Sequence, residues 1–407
     1  SRITPAIGAA MRIVTSHSEL AALVEEYSDA PYVTVDTEFV RERTFWPVLC
    51  LIQIARPTDA EPGSAEAQAA SAIIDPIRIK EKGSDDLSPL FELMRNEKIV
   101  KVFHAARQDV EIFVRLSGEA PKPLFDTQIA AMVCGFGDQV GYETLVRKVA
   151  KTSLDKSSRF TDWARRPLSE KQLRYAMGDV THLRAIYEHL KDQIERSGRA
   201  HWVAEEMAAL ADASGYIVEP DEAWKRLKTR STSGRFLAVA KELAAWRERE
   251  AQGRDIPRNR LLKDDALLEI AANQPKTLDE LSRSRLLFRE ARKGEVAEEI
   301  LSAVRRGLDV PKDLQPRVEE PRTPRNGAAA VAELLRVLLK AKAEESGVAQ
   351  RLLATSADLD AIANDDEPDV PALSGWRREA FGETALRLKR GEIGLAVTDG
   401  AVRIIDL

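Results

Sequence analysis

Cysteine is nearly absent from this 407-residue chain: Cys50 and Cys134 are the only two, each in an apolar setting and neither in a CxxC or His/Cys cluster. That argues against a disulfide framework or a thiolate zinc site and predicts two reduced core thiols. Long hydrophobic runs are missing too. None approaches the roughly 20 residues a membrane-spanning helix needs, and the first residues lack the basic-then-apolar layout of a signal peptide. Aromatics are sparse at 6%, and with 44% hydrophobic and 31% charged residues the composition is that of a soluble globular protein, for which a cytoplasmic address is expected. Nor is positive charge in excess: a formal net charge of -5 argues against coating nucleic acid by bulk electrostatics and leaves only regional basic patches.

What the chain does contain is a change of pattern along its length. Its size calls for two or three domains. Residues 1–10, SRITPAIGAA, have no periodicity, and Met11 reads as a candidate start. YVTVDTEF, VLCLIQIA and SAIIDP predict three successive strands whose connections suit antiparallel neighbours, with EPGSAEAQAASA as a loop of small residues. LSPLFELMRN then reads as a helix, KIVKVF as a strand and RQDVEIFVRLSG as a helix, a βα pattern after the meander. Further helices are expected around DTQIAAMVC and YETLVRKVA. Ser169 and Gln172 form a capping box that opens one long helix, with an apolar stripe of Leu173, Ala176, Val180, Leu183, Tyr187 and Leu190 ending near Gly198. Beyond Ser214 strand signals fade: residues 235–306 are helical and rich in Lys and Arg, and GLDVPKDLQPRVEEPRTPRNG is a Pro-rich linker. A second helical unit starts at Ala328 and ends in LAVTDGAVRIIDL, where Asp399-Gly400 predicts a tight hairpin. The two tail units are similar in length, as a duplicated module would be. The expected domains are 11–215, 230–308 and 328–407.

Chemistry first shows in VTVDTEF. Thr34, Asp36 and Glu38 project from one strand face with no Lys or Arg between them. Burying ionised carboxylates unpaired costs several kcal/mol, so the pair either holds a metal ion or marks acids at an exposed strand end. Asp109 opens the helix after KIVKVF, where the helix dipole tolerates negative charge; alone it reads as an ordinary N-terminal acid. Tyr175 and Asp179 stand four apart in RYAMGDVTHL and share a helix face, and alone Asp179 reads as a solvated acid near Arg174 or His182. Together, D-x-E on a first strand, an Asp after a later strand and Y-x3-D on a late helix are far more specific than any part.

Through VDTEFVRERTFWPVLCLIQIA, HAARQDVEIF and LDKSSRFTDWARRPLSEKQLRYAMGDV, the chain resembles the DEDD superfamily of 3′-to-5′ exonucleases, in the subgroup with tyrosine in the last motif, and within it the ribonuclease D family. The resemblance covers about residues 31 to 200. It implies a ribonuclease H-like α/β fold, a mixed five-stranded sheet flanked by helices. It also implies that Asp36, Glu38, Asp109 and Asp179 ligate two divalent cations, Mg²⁺ or Mn²⁺, while Tyr175 positions the attacking water. An all-carboxylate set suits these hard cations better than zinc, and the cations would keep four mutually repelling acids ionised. His104 and Asp109 have the H-x4-D spacing of the other subgroup, in which histidine handles the water. That assignment would leave Tyr175 and Asp179 unexplained, so His104 is expected beside the site, touching substrate or supporting a loop.

Phe45 and Trp46 in RERTFWP either stack on a terminal base or pack in a core, and Arg165 and Arg166 either contact phosphates or form a surface loop. The tail resembles the family again. FLAVAKELAAWREREAQGRDIPRNRLLKDDALLEIA is similar to the helicase-and-RNase-D C-terminal (HRDC) domain, an all-α nucleic-acid-binding module, and ALSGWRREAFGETALRLKRGE to a divergent second copy. Arg254, Arg258, Arg260 and Lys263 crowd one loop and helix start, as phosphate contacts or as a solvated charged face. The resemblance as a whole implies an exoribonuclease that releases nucleoside 5′-monophosphates from tRNA precursors and other small structured RNAs; a monomer is expected, with a catalytic domain that folds without the tail because the chemistry needs only the carboxylate site. A DNA exonuclease and a catalytically dead nucleic-acid-binding adaptor are the alternatives; the second would have lost one of the acids, and none is lost.

Overall fold

Near-continuous apolar runs such as VLCLIQIA suit strands covered on both faces, and here they form the middle of a six-stranded sheet. In the computed structural model, which describes residues 11–61, 64–83, 86–155, 157–158, 161–229, 231–319 and 323–407, the strands are β1 (Ile13–Val14), β2 (Tyr32–Val40), β3 (Val48–Ala55), β4 (Ser71–Ile74), β5 (Val100–Phe103) and β6 (Leu124–Asp126). Their order is β1-β4-β3-β2-β5-β6. β3 and β4 are antiparallel, whereas β1 with β4, β2 with β5 and β5 with β6 are parallel, so the sheet is mixed as expected but has six strands rather than five. Two edge strands of two and three residues, β1 and β6, are too short to show a sequence period. The segment 1–10, Lys156, Arg159 and Phe160 of the third motif stretch, and residues 320–322 of the Pro-rich linker lie outside the described residues.

Around the sheet run α1 (His17–Tyr27), α2 (Ala65–Ala69), α3 (Pro76–Glu81), α4 (Ser88–Arg95), α5 (Arg107–Ser117), α6 (Thr127–Met132), α7 (Tyr142–Leu145), α8 (Glu170–Thr181), α9 (Leu183–Ser197) and α10 (Ala200–Leu210). Two expectations are corrected. The small-residue loop contains α2, started by a Ser64 hydroxyl that accepts from Ala67 N–H. The long helix from Ser169 is two helices, α8 and α9, that meet at His182. Its capping box is formed, with Ser169 and Gln172 bonded both ways. At the break the Arg184 side chain donates to the Thr181 carbonyl at 3.1 Å, satisfying an acceptor that an unbroken helix would pair itself, and to the Arg56 carbonyl after β3 at 3.0 Å. Val180, Leu183, Tyr187 and Leu190 are buried on both sides of the break, which is why the apolar stripe continues through it.

The chain divides into two compact units, one running to Glu38 and then over Leu49–Ala213 and Thr323–Leu407, the other made of Phe39–Val48 and Ser214–Arg322. In the second unit, α11 (Gly234–Arg254), α12 (Arg258–Leu261), α13 (Asp264–Asn273), α14 (Leu278–Ser282) and α15 (Gly294–Leu308) enclose Leu237, Leu243, Trp246, Leu267, Ile270 and Val304. Gly307 lets α15 approach α11 closely, since a Cβ there would overlap the Val239 backbone.

The C-terminal helices α16 (Ala328–Ser346), α17 (Gln350–Leu353), α18 (Ser356–Asn364), α19 (Gly375–Arg377) and α20 (Glu383–Lys389) belong to the first unit. Leu335, Leu338, Trp376, Phe381 and Leu386 lie in one buried cluster with Val102, Leu183, Ile186, Leu190 and Trp202. Trp202 and Trp376 stack with centroids 5.2 Å apart, and the Ala349 N–H donates to the Met132 carbonyl at 2.9 Å. Packing therefore joins this segment to the sheet domain rather than leaving it as a separate tail. It closes on the hairpin β7 (Ile393–Thr398) and β8 (Ala401–Asp406), whose turn residues Asp399 and Gly400 take φ of 52° and 78°, as the tight turn requires. Cys50 is buried, Cys134 is half-buried, and the two form no disulfide. No helix among the described residues is long and apolar enough to cross a membrane.

Candidate active site

Period two along β2 places Thr34, Asp36 and Glu38 on one face, and Thr34 decides what covers them. Its hydroxyl donates to the Val180 carbonyl at 2.7 Å, which seats α8 across β2 next to the residue that precedes Val180 in the chain, Asp179. Carboxylate oxygens of Asp36, Glu38 and Asp179 consequently lie within 4.8 Å of one another. β2 pairs with β5 as far as Thr34 and Val102, and beyond that point Asp109, in the first turn of α5, accepts from the hydroxyl and backbone N–H of Thr37. Asp109 is thus outside the tight trio of oxygens but close enough to act on Asp36 and Glu38 through its charge.

Burial and mutual repulsion dominate the electrostatics. Burial first, then the charges of Asp179, Asp109 and Glu38, hold the Asp36 carboxyl well above its usual range. Glu38 is pushed up to about 8 by burial and by Asp179, against a hydrogen bond from Gln53 that lowers it. Burial pushes Asp109 up to about 7 despite the Thr37 hydrogen bonds. Asp179 rises least, to about 6, because hydrogen bonds from Asp36 and Glu38 oppose its burial. Without a cation, burial and repulsion therefore favour the protonated forms of Asp36 and Glu38. Three hard oxygen donors gathered this closely fit a divalent cation, which would remove the repulsion that raises them.

These shifts set a pH dependence. Carboxyls that are harder to ionise in the folded state than in the unfolded chain bind more protons when folded, so their contribution to stability is present at acid pH and is lost as pH rises. In EDTA, the melting temperature is expected to fall between about pH 4, where unfolded carboxyls titrate, and pH 8, where Glu38 does. Added Mg²⁺ or Mn²⁺ should restore it most at the alkaline end. Melting curves that are flat over this range with and without metal would refute the assignment.

Several residues that sequence reasoning passed over complete the site. Gln53 is fully buried on β3; its Nε2 donates to Glu38 at 3.1 Å and lies 3.5 Å from Asp36. Its signal was one amide inside the otherwise apolar VLCLIQIA. Asp126 caps α6 and accepts from Ala105 and Ala106 N–H at 2.9 Å each, fixing the turn before α5. Tyr142 donates to the Gly178 carbonyl at 2.7 Å, one residue before Asp179. The Tyr175 ring stacks on Trp163, with centroids 6.3 Å apart, and lines a cavity of about 520 Å³ together with Asp179, Gly178 and His182.

Other expected contacts are tied into the protein. Nδ1 of His104 is paired with the Thr127 hydroxyl at 2.8 Å, and its Nε2 with the Val140 carbonyl at 3.0 Å, the geometry of a loop support. Burial lowers its pKa, which favours the neutral ring. Every N–H of the Arg166 guanidinium is engaged, by Asp75 and by the carbonyls of Cys50, Trp163 and Arg165. In the second unit, Asp255 accepts from the backbone N–H of Phe45 and Trp46, the Trp46 indole donates to the Gln252 carbonyl, and Arg258 lies over the Phe45 ring at 4.6 Å. Arg254, Arg260 and Lys263 remain exposed there.

Residues 11–195 match the 3′-5′ exonuclease family, and residues 236–304 the HRDC domain. Over 97% of its length the chain is 55% identical to ribonuclease D of Jannaschia sp., covering 99% of that protein. The chain belongs to the ribonuclease D family. Ribonuclease D of Granulibacter bethesdensis is 46% identical, over 97% of this chain and 96% of that one. The crystal structure of Escherichia coli RNase D, described as an exoribonuclease involved in structured RNA processing, superposes with a TM-score of 0.79 at 31% identity, over 94% of this chain and 99% of that one. The family places this chain among the 3′-to-5′ exoribonucleases, with a ribonuclease H-like sheet domain followed by a helical HRDC domain.

Proposed function

We propose that this ribonuclease D-family exoribonuclease hydrolyses the last phosphodiester of an RNA strand at a site where Asp36, Glu38, Asp109 and Asp179 hold two divalent cations, Mg²⁺ or Mn²⁺. The observation that carries the reading is the convergence of Asp36, Glu38 and Asp179 within 4.8 Å, with Tyr175 one helical turn before Asp179. When bound, such cations lower the pKa of an attacking water and offset charge on the leaving 3′ oxygen. The chain supplies the rest. Glu38, with one oxygen held by Gln53, accepts a hydrogen bond from the water, and the Tyr175 hydroxyl orients that water toward phosphorus. Thr37 fixes the rotamer of Asp109, while Tyr142 and Thr34 hold α8 so that Asp179 meets β2. The product is a nucleoside 5′-monophosphate, and the substrates are tRNA precursors and other small structured RNAs, acted on by a cytoplasmic monomer.

Asp36→Asn is the direct test. It keeps side-chain volume and removes a charge, so hydrolysis in Mg²⁺ or Mn²⁺ should fall to background while the metal-free protein at pH 8 melts higher than wild type, because a repulsive acid is gone. Stepwise mononucleotide release from RNA and DNA oligonucleotides measures the activity. Retained activity in the variant would remove Asp36 from the metal set, and equal rates on DNA would remove the preference for RNA.

A further inference from the structure

The cavity beside Tyr175 has two unlike ends, and α8 shows how they differ. Lys171, Tyr175, Gly178, Asp179 and His182 recur at helical spacing and line it together. Exposure changes along that face: Lys171 and Arg174 are exposed, whereas Tyr175, Asp179 and His182 are half-buried. Ser153, Leu154 and Asp155 complete the lining, with Leu154 at ordinary contact distance from the place of a Gly178 Cβ. The cavity, of about 520 Å³, therefore opens toward the N-terminal end of α8 and is more enclosed at the acids.

Lengths along the helix are unequal in the same sense. At a rise of about 1.5 Å per residue, Asp179 stands about 4.5 Å from His182 but about 12 Å from Lys171. An exonuclease that releases one nucleotide at a time needs a short side for the residue that leaves and a long, open side for the strand that stays. The long side runs toward Lys171. Charge agrees with that direction. Arg174 is engaged by Glu170, to which it donates through Nε at 3.1 Å and also through Nη2. Lys171 has no hydrogen-bond or ion-pair partner among the described residues. Asp155 is held below its usual range chiefly by hydrogen bonds from Ser157, with the Lys171 charge a smaller influence. An uncommitted ammonium is a compact point charge, which attracts a phosphate without reading a base.

We propose that the RNA strand enters this cavity from the N-terminal end of α8 and that Lys171 neutralises one of its phosphates on the 5′ side of the scissile bond. Lys171 then sets affinity for the strand and takes no part in the bond-breaking step. The proposal rests on the exoribonuclease reading of the carboxylate set, which supplies the position of the scissile bond beside Asp179.

The experiment compares the full chain as wild type, Lys171→Gln and Lys171→Arg at saturating Mn²⁺, with equal melting temperatures verifying the fold at this exposed position. Three five-nucleotide RNAs are the probes. One is charged at every linkage; the other two carry an uncharged methylphosphonate at the second or at the third linkage from the 3′ end. On the charged strand Lys171→Gln should lower kcat/KM about fivefold or more, through KM with kcat within about twofold, while Lys171→Arg retains most of the rate. The slope of log affinity against log salt, read by anisotropy in EDTA, should become shallower by about 0.7 for the glutamine variant, since one strand phosphate is no longer neutralised. On one of the two uncharged strands wild type and Lys171→Gln should agree, because the phosphate that Lys171 meets is already gone. Equal KM values and equal salt slopes on the charged strand would overturn the proposal. So would a loss of the same size on all three strands, which would place Lys171 at the scissile bond or in the support of α8. Mononucleotide release by the wild type reports separately on the exoribonuclease reading, and the anisotropy decides the contact without turnover.

Discussion

Replacing Tyr175 by phenylalanine is expected to lower kcat by about 10²- to 10⁴-fold while RNA affinity changes little. The ring stays, and with it the stack on Trp163. Asp179 keeps its place, because its helix is held through Val180 and Gly178. What disappears is a hydroxyl one turn from a proposed metal ligand, so the defect falls on the orientation of water. The rates should be compared at saturating metal, so that weaker cation binding does not pass for a chemical defect. His104→Ala is the control. Its ring bridges Thr127 and Val140, so removing it should cost stability while leaving kcat within about tenfold of wild type. Should His104→Ala prove crippled and Tyr175→Phe nearly normal, the H-x4-D pattern was the functional one and the roles given to Tyr175 and Asp179 are wrong.

Trp376→Ala is expected to destabilise the first unit by about 3–5 kcal/mol, the range for emptying a large aromatic site in a core. Trp376 is 1% exposed; its ring stacks on Trp202, its indole donates to Glu206 at 3.1 Å, and its backbone N–H donates to Glu205 at 3.1 Å. The neighbouring Arg377 reaches Glu206 at 2.6 Å. Gly375 has a φ of +55°, with the Glu205 carboxylate where a Cβ would stand, so this close approach also depends on the absence of a side chain. Removing residues 323–407 altogether should be worse than any point change, because it strips apolar cover from Leu190 and Trp202 in the shared core. The truncated chain is expected to aggregate or melt far below the full chain in a thermal scan. A soluble truncation with an unchanged melting temperature would show that this core is not shared in solution, in line with the separate tail expected from sequence alone.

The carboxylate site was legible because its signals are local. D-x-E on a strand and Y-x3-D on a helix place side chains on common faces through backbone period alone, with no knowledge of what lies opposite. The capping box at Ser169 and the turn at Asp399-Gly400 were legible for the same reason: each is decided within four residues. Gln53, Asp126 and Tyr142 were not, since each acts on a partner at least 15 residues away by hydrogen bonds that no spacing announces, apart from the sequence-near cap that Asp126 gives α6. The helix break at His182 was hidden because the apolar stripe continues through it while Arg184 takes over the freed carbonyl.

By itself, then, the sequence determined the α/β-then-helical order, the hairpin, and the strand and helix faces on which the candidate acids and Tyr175 stand, because short-range backbone geometry is enough to specify them. Only the tertiary structure decided that Asp36, Glu38 and Asp179 meet within 4.8 Å, that His104 and Arg166 are spent on supporting contacts, and that the last helices share the core of the sheet domain. The physical reason is common to all three. Hydrophobic burial is non-directional, so an apolar face such as that of Trp376 does not name its partner in the chain, and a buried polar group takes whichever acceptor packing brings within reach.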